Sequence, residues 1–183
     1  MGEVKFMPSG DRAMVVEFGN AIDTRINDQV HTLARRIEEE QIPGIVELVP
    51  TFRSLMVYYD PFLTSYAKLK AVLENSGEMG AGSGERRKNL KFLLLWARFG
   101  QDLADMEAYT GLDRDEIIAI HSSVDYKFSM MGFLPGFVYL GGLDKRIEIP
   151  RLKTPRVKIQ PGAVGSGEIK QVCIRWHRRE AGV

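Results

Sequence analysis

The stretch FSMMGFLPGFVYLGGLDKRIEIPRLKTPR, residues 128–156, decides how this sequence is interpreted. It combines four glycines and three prolines with closely spaced aromatic residues, and basic residues follow beside the prolines. Proline fixes the backbone angle φ and glycine permits left-handed backbone, so the stretch is expected to be rigid rather than an ordinary surface loop. A rigid apolar wall beside cations predicts a pocket for a small anionic or amide substrate.

The overall composition is that of a soluble globular protein, with 183 residues, 44% hydrophobic and 27% charged. A net charge of +1 gives no reason to expect nucleic-acid binding. No apolar run is long enough for a signal peptide or a membrane helix. The single cysteine, Cys173, excludes an internal disulfide framework and indicates a reducing cytoplasm. Three scattered histidines and one cysteine match no metal-site spacing, so no metal is expected.

Residues 1–75 predict an N-terminal domain of mixed α and β structure. The segment 11–18 (DRAMVVEF) has the composition of a strand, and apolar residues recur every three or four positions over 23–40, which predicts a helix capped by Asp23 or Thr24. We expect the apolar face of this helix to cover its own sheet. Two strands, GIVELVP and SLMVYYD, and a helix over 64–75 follow, the latter with a stripe of Tyr66, Leu69, Val72 and Leu73. This order is typical of a split βαβ, ferredoxin-like unit.

A change of composition marks the end of this domain. Residues 76–88 are rich in glycine, serine and charge without periodicity, which predicts an interdomain linker. Residues 89–183 begin with two short helices, one closed by Gly111 and one opened by a capping box of Asp113 and Glu116. A strand is expected in VDYKFSMMGF, and the short pieces beyond it, broken by Pro-Gly and Gly-Gly, favour a β-barrel-like domain.

Three motifs, GFLPGFVYLGGLD, IPRLKTPR and QPGAVG, carry a resemblance to a known family. The chain resembles the KipI family, also described as the B subunit of 5-oxoprolinase (PxpB) or allophanate hydrolase subunit 1. The similarity begins at SGDRAMVVEFG, includes IHSS and reaches about Gly165. A pattern of GFxPGFxYLGGLD followed by PRxxxPR is long enough to make a chance match improbable.

The resemblance implies an α+β architecture in which a cyclophilin-like β-barrel, incomplete at its C-terminus, follows the N-terminal domain. It also implies a PxpC/KipA-type second subunit and, in the 5-oxoprolinase version, a LamB/YcsF-type third subunit, in an assembly that uses ATP to open 5-oxoproline to glutamate. An alternative within the family is inhibition of a sporulation histidine kinase. Allophanate hydrolysis is a third possibility, although no amidase-type serine/lysine cluster is found in the sequence.

The candidate site residues fall into an apolar wall, a set of cations and a glycine segment. The arginines are expected to pair with a carboxylate or a phosphate, and the glycine segment to offer backbone N–H groups. The predicted substrate-binding residues are Phe133, Pro135, Gly136, Phe137, Tyr139, Arg146, Arg151, Arg156, Gly162 and Gly165.

His121 is the one nearby side chain suited to proton transfer near neutral pH, although a helix-terminal cap explains it equally well. No Ser/His/Asp set, phosphate loop or paired metal carboxylates can be found in the sequence. We therefore expect chemistry that is shared with a second polypeptide.

Two segments depart from the family pattern. After QPGAVG the pattern continues as VGIAGxQTGVYP, whereas this chain has GSGEIKQVCIRWHRREAGV, without strand periodicity. Reading the codons one base earlier can restore QTGVYP, so we expect a frame slip near Ser166 and a truncated, poorly soluble product; the gene sequence would test this. The second departure, KFLLLWARFGQDL, stands where the family has something like IPVCYGGEFGPDL.

Overall fold

The computed structural model describes residues 4–75, 100, 102–132, 137–154, 164–167 and 171–175. The chain has α+β architecture and divides into two compact units, Met1–Arg86 and Arg87–Val183. The predicted linker, residues 76–88, lies outside the described residues, and so does the divergent segment 93–98. Among the described helices, none combines the length and apolarity needed to cross a membrane.

The first unit contains a four-stranded antiparallel sheet in the order β1-β2-β4-β3. Helix α1 connects β2 to β3, and because β4 pairs antiparallel with both of these strands, they run parallel to each other. The elements are β1 (Lys5–Ser9), β2 (Ala13–Glu17), α1 (Thr24–Glu40), β3 (Ile45–Pro50), β4 (Ser54–Tyr59) and α2 (Tyr66–Asn75).

The core of the first unit lies between the sheet and the apolar faces of the two helices. Its most buried side chains come from β2, β4, α1 and α2, and the interpretation of the α1 stripe as core is confirmed. The N-terminus of α1 is capped as predicted, since the Asp23 carboxylate accepts a 2.7 Å hydrogen bond from the backbone N–H of Arg25. The core includes Met14, Val16, Val30, Leu33, Ile37, Leu55, Val57, Leu69 and Leu73.

Two sequence predictions in this unit need correction. Strand β1 was not predicted, because its sequence, KFMPS, contains a proline and lacks alternation. Proline is tolerated there since β1 is an edge strand that pairs with β2 alone. Val72 was included in the apolar stripe of the second helix, but 43% of it is exposed; the buried residues of this helix are Leu69 and Leu73.

The second unit contains a four-stranded antiparallel sheet in the order β5-β6-β8-β7. Both predicted helices are confirmed: α3 ends at Gly111 with a left-handed φ of 73°, and α4 opens with the Asp113–Glu116 capping box. The elements are α3 (Leu103–Thr110), α4 (Arg114–Ser122), β5 (Lys127–Met131), β6 (Phe137–Gly141), a single 3-10 turn (Lys145–Ile147), β7 (Val164–Gly167) and β8 (Gln171–Arg175).

The divergent tail contributes a strand, contrary to the expectation from its sequence. Strand β8 pairs with β6 on one side and with β7 on the other, so that Cys173 lies opposite both Tyr139 and Gly165. Alternating Val172 and Ile174 are compatible with extended backbone, and hydrogen bonding to two neighbours outweighs the weak local pattern. The frame slip itself stays a prediction for the gene sequence.

Candidate functional site

The GGLD turn, residues 141–144, connects β6 to the 3-10 turn in the middle of the predicted pocket segment. Gly142 has a φ of 103°, a conformation that side chains with a Cβ rarely adopt. Leu143 and Ile147 are buried in the core of the second unit, which fixes both ends of the turn. The turn is therefore held by packing, while Asp144 stays partly accessible and Arg146, two residues later, is exposed.

Asp144 and Arg146 form a two-pronged ion pair at this turn. The Asp144 carboxylate accepts hydrogen bonds from the Arg146 backbone N–H at 2.9 Å, from Nε at 3.0 Å and from Nη2 at 2.7 Å. Hydrogen bonding from the Arg146 side chain, followed by that from its backbone, lowers the pKa of Asp144 to about 2. The carboxylate in turn raises the pKa of Arg146. The guanidinium orientation is thus set within the chain.

Arg146 retains hydrogen-bonding capacity after this pairing. Its side chain is 64% exposed, and Nη1 and the second hydrogen of Nη2 make no hydrogen bond to a described residue. Guanidinium donors are arranged so that two carboxylate groups can be bound on different edges. Arg146 can therefore hold Asp144 and still bind an external anion.

The rings of buried His121 and half-buried Tyr126 are in contact, and Tyr126 lies within electrostatic range of Asp144. The ring centroids of His121 and Tyr126 are 5.0 Å apart, and the Tyr126 hydroxyl is buried without a hydrogen-bond partner among the described residues. Burial and then the Asp144 charge raise the pKa of Tyr126 to about 12. Burial lowers the pKa of His121, so its imidazole is neutral near neutral pH. The tyrosine is accordingly a proton donor that stays un-ionised.

Two aromatic residues of the predicted apolar wall, Phe137 and Tyr139, lie among the described residues. Phe137 and Tyr139 lie on the same strand and make an edge-to-face contact with centroids 5.1 Å apart. The Gly132 N–H donates to the Phe137 carbonyl at 3.1 Å, which brings the two ends of the 133–136 connection together. A Cβ on Gly132 would stand 3.4 Å from the Tyr139 ring, so the backbone approaches this aromatic side chain closely.

The predicted site residues have different environments. Phe137 and Tyr139 are in contact, Arg146 is paired with Asp144, and Arg151 and Gly165 are exposed. His121 is buried at the end of α4 rather than presented to solvent. The roles assigned to these residues stay predictions. The remaining predicted residues, Phe133, Pro135, Gly136, Arg156 and Gly162, lie outside the described residues.

Three polar residues near the GGLD turn were not identified from sequence. Asp144 was within the quoted motif, and its position two residues before Arg146 is a signal that an Asx-type turn was possible. Ser129 is buried, and its Oγ lies 3.3 Å from where a Cβ on Gly141 would be. Neither Ser129 nor Tyr126 has a sequence signal, because both occur in an ordinary strand pattern.

One cavity of the described residues lies away from this turn. It lies in the first unit, between α1 and β3. The GGLD turn combines an oriented cation with Tyr126, whose buried hydroxyl lies within range of the Asp144 charge, and is therefore the candidate chemical site. No cluster of three or more His, Cys, Asp or Glu side chains suited to a metal occurs among the described residues.

Comparison with known proteins then places the chain. The sequence model described as "Carboxyltransferase domain, subdomain C and D" matches residues 4–177. The chain belongs to this family. It is 35% identical over 168 residues to the B subunit of 5-oxoprolinase from Bacillus subtilis (strain 168), covering 85% of this chain and 70% of the relative. The resemblance to the family of 5-oxoprolinase B subunits inferred from the motifs is confirmed.

Solved structures share the architecture. The crystal structure of TTHA0988 superposes with a TM-score of 0.73 at 25% identity, covering 89% of this chain and 32% of that chain. The Kluyveromyces lactis urea carboxylase gives a TM-score of 0.65 at 19% identity, covering 94% of this chain and 18% of that chain, and indicates the fold alone. This chain therefore spans about a third of TTHA0988 and a smaller part of the urea carboxylase.

Proposed function

We propose that this member of the carboxyltransferase-domain family is a subunit of an ATP-dependent 5-oxoprolinase that converts 5-oxoproline to glutamate. The observation that carries the proposal is the 35% identity, over most of both chains, to the B subunit of a 5-oxoprolinase. That relative is named as one subunit among several, which supports a multi-subunit assembly. We propose a PxpC/KipA-type second subunit and a LamB/YcsF-type third subunit as its partners, in the cytoplasm.

The proposed role of the GGLD turn is to orient the substrate carboxylate. 5-Oxoproline is a small ring that carries one carboxylate and one amide. The outward N–H groups of Arg146 would bind the carboxylate, because Asp144 already fixes the plane of the guanidinium. The half-buried Phe137 and Tyr139 would pack against the apolar face of the ring. Arg151 and, in the undescribed segment, Arg156 would supply further positive charge.

His121 and Tyr126 would serve this site by proton transfer. A neutral imidazole can accept a proton and a protonated phenol can donate one, and the lowered pKa of His121 and the raised pKa of Tyr126 keep them in those states near neutral pH. Opening of the lactam requires a proton at the leaving nitrogen. Tyr126 is accordingly the candidate donor of that proton, and neutral His121 would relay a replacement proton from water to the resulting phenolate.

The described residues do not fit a triphosphate. Nucleotide phosphates are commonly held by a free helix N-terminus or a glycine-rich loop, whereas the N-terminus of the 3-10 turn after Gly141 and Gly142 is occupied by the Asp144 carboxylate. The backbone N–H of Arg146 at this turn already donates to that carboxylate and is not available to a phosphate. We therefore assign these residues no role in ATP chemistry and propose that the nucleotide is bound with the partner subunit.

Two finer assignments complete the proposal. The sheet order of the first unit, with β4 between parallel β2 and β3, supports a ferredoxin-like split βαβ domain. The antiparallel second sheet supports a cyclophilin-like barrel, and the division near residue 86 supports the predicted 1–75, 76–88 and 89–183 organisation. The alternatives, inhibition of a histidine kinase and allophanate hydrolysis, stay predictions without a described contact in their favour.

Reconstitution tests this proposal. The chain is co-expressed with the second and third subunits, and glutamate formation and ATP hydrolysis are measured with and without 5-oxoproline. We expect Arg146→Ala to lower kcat/KM roughly tenfold to a hundredfold, the effect of losing a charge-assisted hydrogen bond.

Arg25→Ala is the matched control for this variant. Arg25 also pairs with an aspartate two residues earlier, Asp23, at a helix start, but in the first unit. It should leave kcat/KM unchanged. A complex without 5-oxoproline-dependent turnover refutes the function; a fully active Arg146→Ala complex refutes only the role of the GGLD turn.

A further inference from the structure

The first unit carries a groove that the proposed reaction does not use. We call it the β3 groove; it has a volume of about 240 Å³ and lies between the C-terminal end of α1 and strand β3. Ile42, Ile45 and Leu48 in its lining are half-buried, and Val46 is 70% exposed. The complete lining is Ile37, Glu38, Gln41, Ile42, Ile45, Val46, Glu47 and Leu48.

The size of the groove favours a side chain over a free metabolite. Pockets for drug-sized ligands typically have volumes of about 300–1,000 Å³ and enclose most of the ligand. The β3 groove is smaller, and Val46 at its edge is largely in water. It matches one apolar side chain of a longer segment that continues over the surface.

The rim of the groove carries two acidic side chains, Glu38 and Glu47, that form no ion pair with a described residue. Helix α1 ends in RIEEE, and its last turn contains no basic residue. Arg36 pairs with Glu40 at 2.7 Å, whereas Glu38, Glu39 and Glu47 are exposed and form no ion pair with a described residue. Carboxylates at a helix C-terminus oppose the helix dipole, so an added cation there is favourable. The rim is therefore complementary to Lys or Arg.

A rigid turn displays two more apolar side chains beside the groove. Phe62 is 89% exposed and Leu63 is 69% exposed. The turn is held by Asp60, whose Oδ1 accepts from the Phe62 N–H at 2.9 Å and whose carbonyl accepts from Leu63 at 3.1 Å. Gly44, with a φ of 88°, lies so close that a Cβ would stand 3.1 Å from the Leu63 Cβ. Large apolar groups displayed on an ordered turn are typical of a protein interface.

The backbone of β3 itself disfavours pairing of an added strand with this edge of the sheet. The register shift between Ile45 and Glu47 leaves Val46 in a bulge, and Pro50 lacks an N–H at the other end of the strand. A bulge, a charge and a proline are the features that protect edge strands from pairing. Recognition at this surface must depend on side chains.

We propose that the β3 groove and the Phe62–Leu63 turn bind a segment of a partner protein in which an apolar side chain is flanked by Lys or Arg. The apolar side chain enters the groove, and its flanking cations pair with Glu38 and Glu47. The partner is a different polypeptide rather than a second copy of this chain. This proposal concerns a surface of the first unit and does not depend on the proposed reaction.

Peptide binding to the full chain tests the proposal, with rhodamine-labelled peptides followed by fluorescence anisotropy. The probe is Gly-Lys-Leu-Phe-Arg-Gly-amide with rhodamine on its N-terminus; one control, labelled in the same way, replaces the Lys and Arg with Glu, and a second replaces Leu-Phe with Gly-Gly. We expect saturable binding of the probe, at least about threefold weaker binding of the acidic control, and about tenfold or weaker binding of the glycine control. Equal binding of the three peptides overturns the proposal.

Substitutions in the chain test whether the probe peptide binds at the β3 groove. Val46→Lys should abolish probe binding, and Glu38→Lys with Glu47→Lys should reverse the preference between the basic and acidic peptides. Val72→Lys is the matched control, because Val72 is an exposed valine of the same unit on α2. Circular dichroism checks folding, and the two glutamate changes lie on exposed residues. Unchanged probe binding by Val46→Lys overturns the proposal, and so does a dimer in sedimentation that Val46→Lys dissociates.

Discussion

The first unit is organised by an apolar stripe, whereas the second is organised around polar turns. In the first, Val30, Leu33 and Ile37 repeat along α1 and share one core with β2 and β4. In the second, the helices are short, the capping box of α4 sets its start, and the GGLD turn fixes the chain after β6. Buried His121 and Ser129 lie in the second unit, where the predicted chemistry also falls.

The difference shows which information each unit's sequence carries. Periodic apolar residues specify the first unit through many equivalent contacts. A substitution at one of them therefore changes stability mainly through the change in side-chain volume. The second unit has a core of its own and, in addition, particular backbone angles and hydrogen bonds at its turns, so that single turn positions matter by their chemical type. Three substitutions, in order of decreasing expected effect, test this contrast.

The largest effect is expected from a cavity in the first core. Leu55 on β4 is fully buried, so Leu55→Ala should lower the free energy of unfolding by about 2–5 kcal/mol. Urea denaturation followed by circular dichroism measures the change. Leu63→Ala, which alters an exposed leucine of the same unit, should change it by less than about 0.5 kcal/mol. Equal losses for the two variants would contradict the packing account of this unit.

A backbone effect of intermediate size is expected in the second unit. Gly142→Ala forces a Cβ onto a φ of 103° and should cost about 1–3 kcal/mol. Since the nearest atom to that Cβ, the Asp125 carbonyl oxygen, is 4.0 Å away, the cost comes from the backbone angle and not from a clash. Gly165→Ala, with nothing within 4 Å and no positive φ, is the control and should be close to neutral. Thermal and urea unfolding compare the two.

The smallest effect is a pH dependence carried by His121. Burial lowers its pKa from 6.5, so the unfolded chain binds a proton more readily than the folded chain does. The stability due to the neutral form is present above pH 6.5 and is lost as the pH falls through the lower, folded-state pKa. His121→Gln should flatten the decline in unfolding free energy below pH 6.5. An unchanged slope, after correction for the variant's own stability at higher pH, would rule out this contribution.

Prediction from sequence succeeded where contacts are local. The cap of α1, the end of α3 at Gly111 and the capping box of α4 all involve residues within a few positions of each other, and the structure has them as predicted. Membership of the family of 5-oxoprolinase B subunits was likewise evident from contiguous motifs such as GGLD. Such features depend on short, contiguous stretches of sequence.

Prediction failed where neighbours in the sheet decide the outcome. Strands β1 and β8 have weak patterns and are specified by their pairing with β2 and with β6 and β7. The pairing of Arg146 with Asp144 depends on the side-chain direction at a turn, which composition does not give. The contact of Tyr126 with His121 is a tertiary arrangement for the same reason.

The order of the second sheet has a consequence for synthesis on the ribosome. Strand β7 precedes β8 in the chain, and among the described strands its partner is β8, which also pairs with β6. While residues 171–175 of a nascent chain are still in the exit tunnel, β7 lacks its neighbour. Strand β6 then also lacks its second partner, and pairing it with β8 requires the closure of a long loop. Ribosome pausing before those residues emerge would therefore prolong the exposure of unpaired strands.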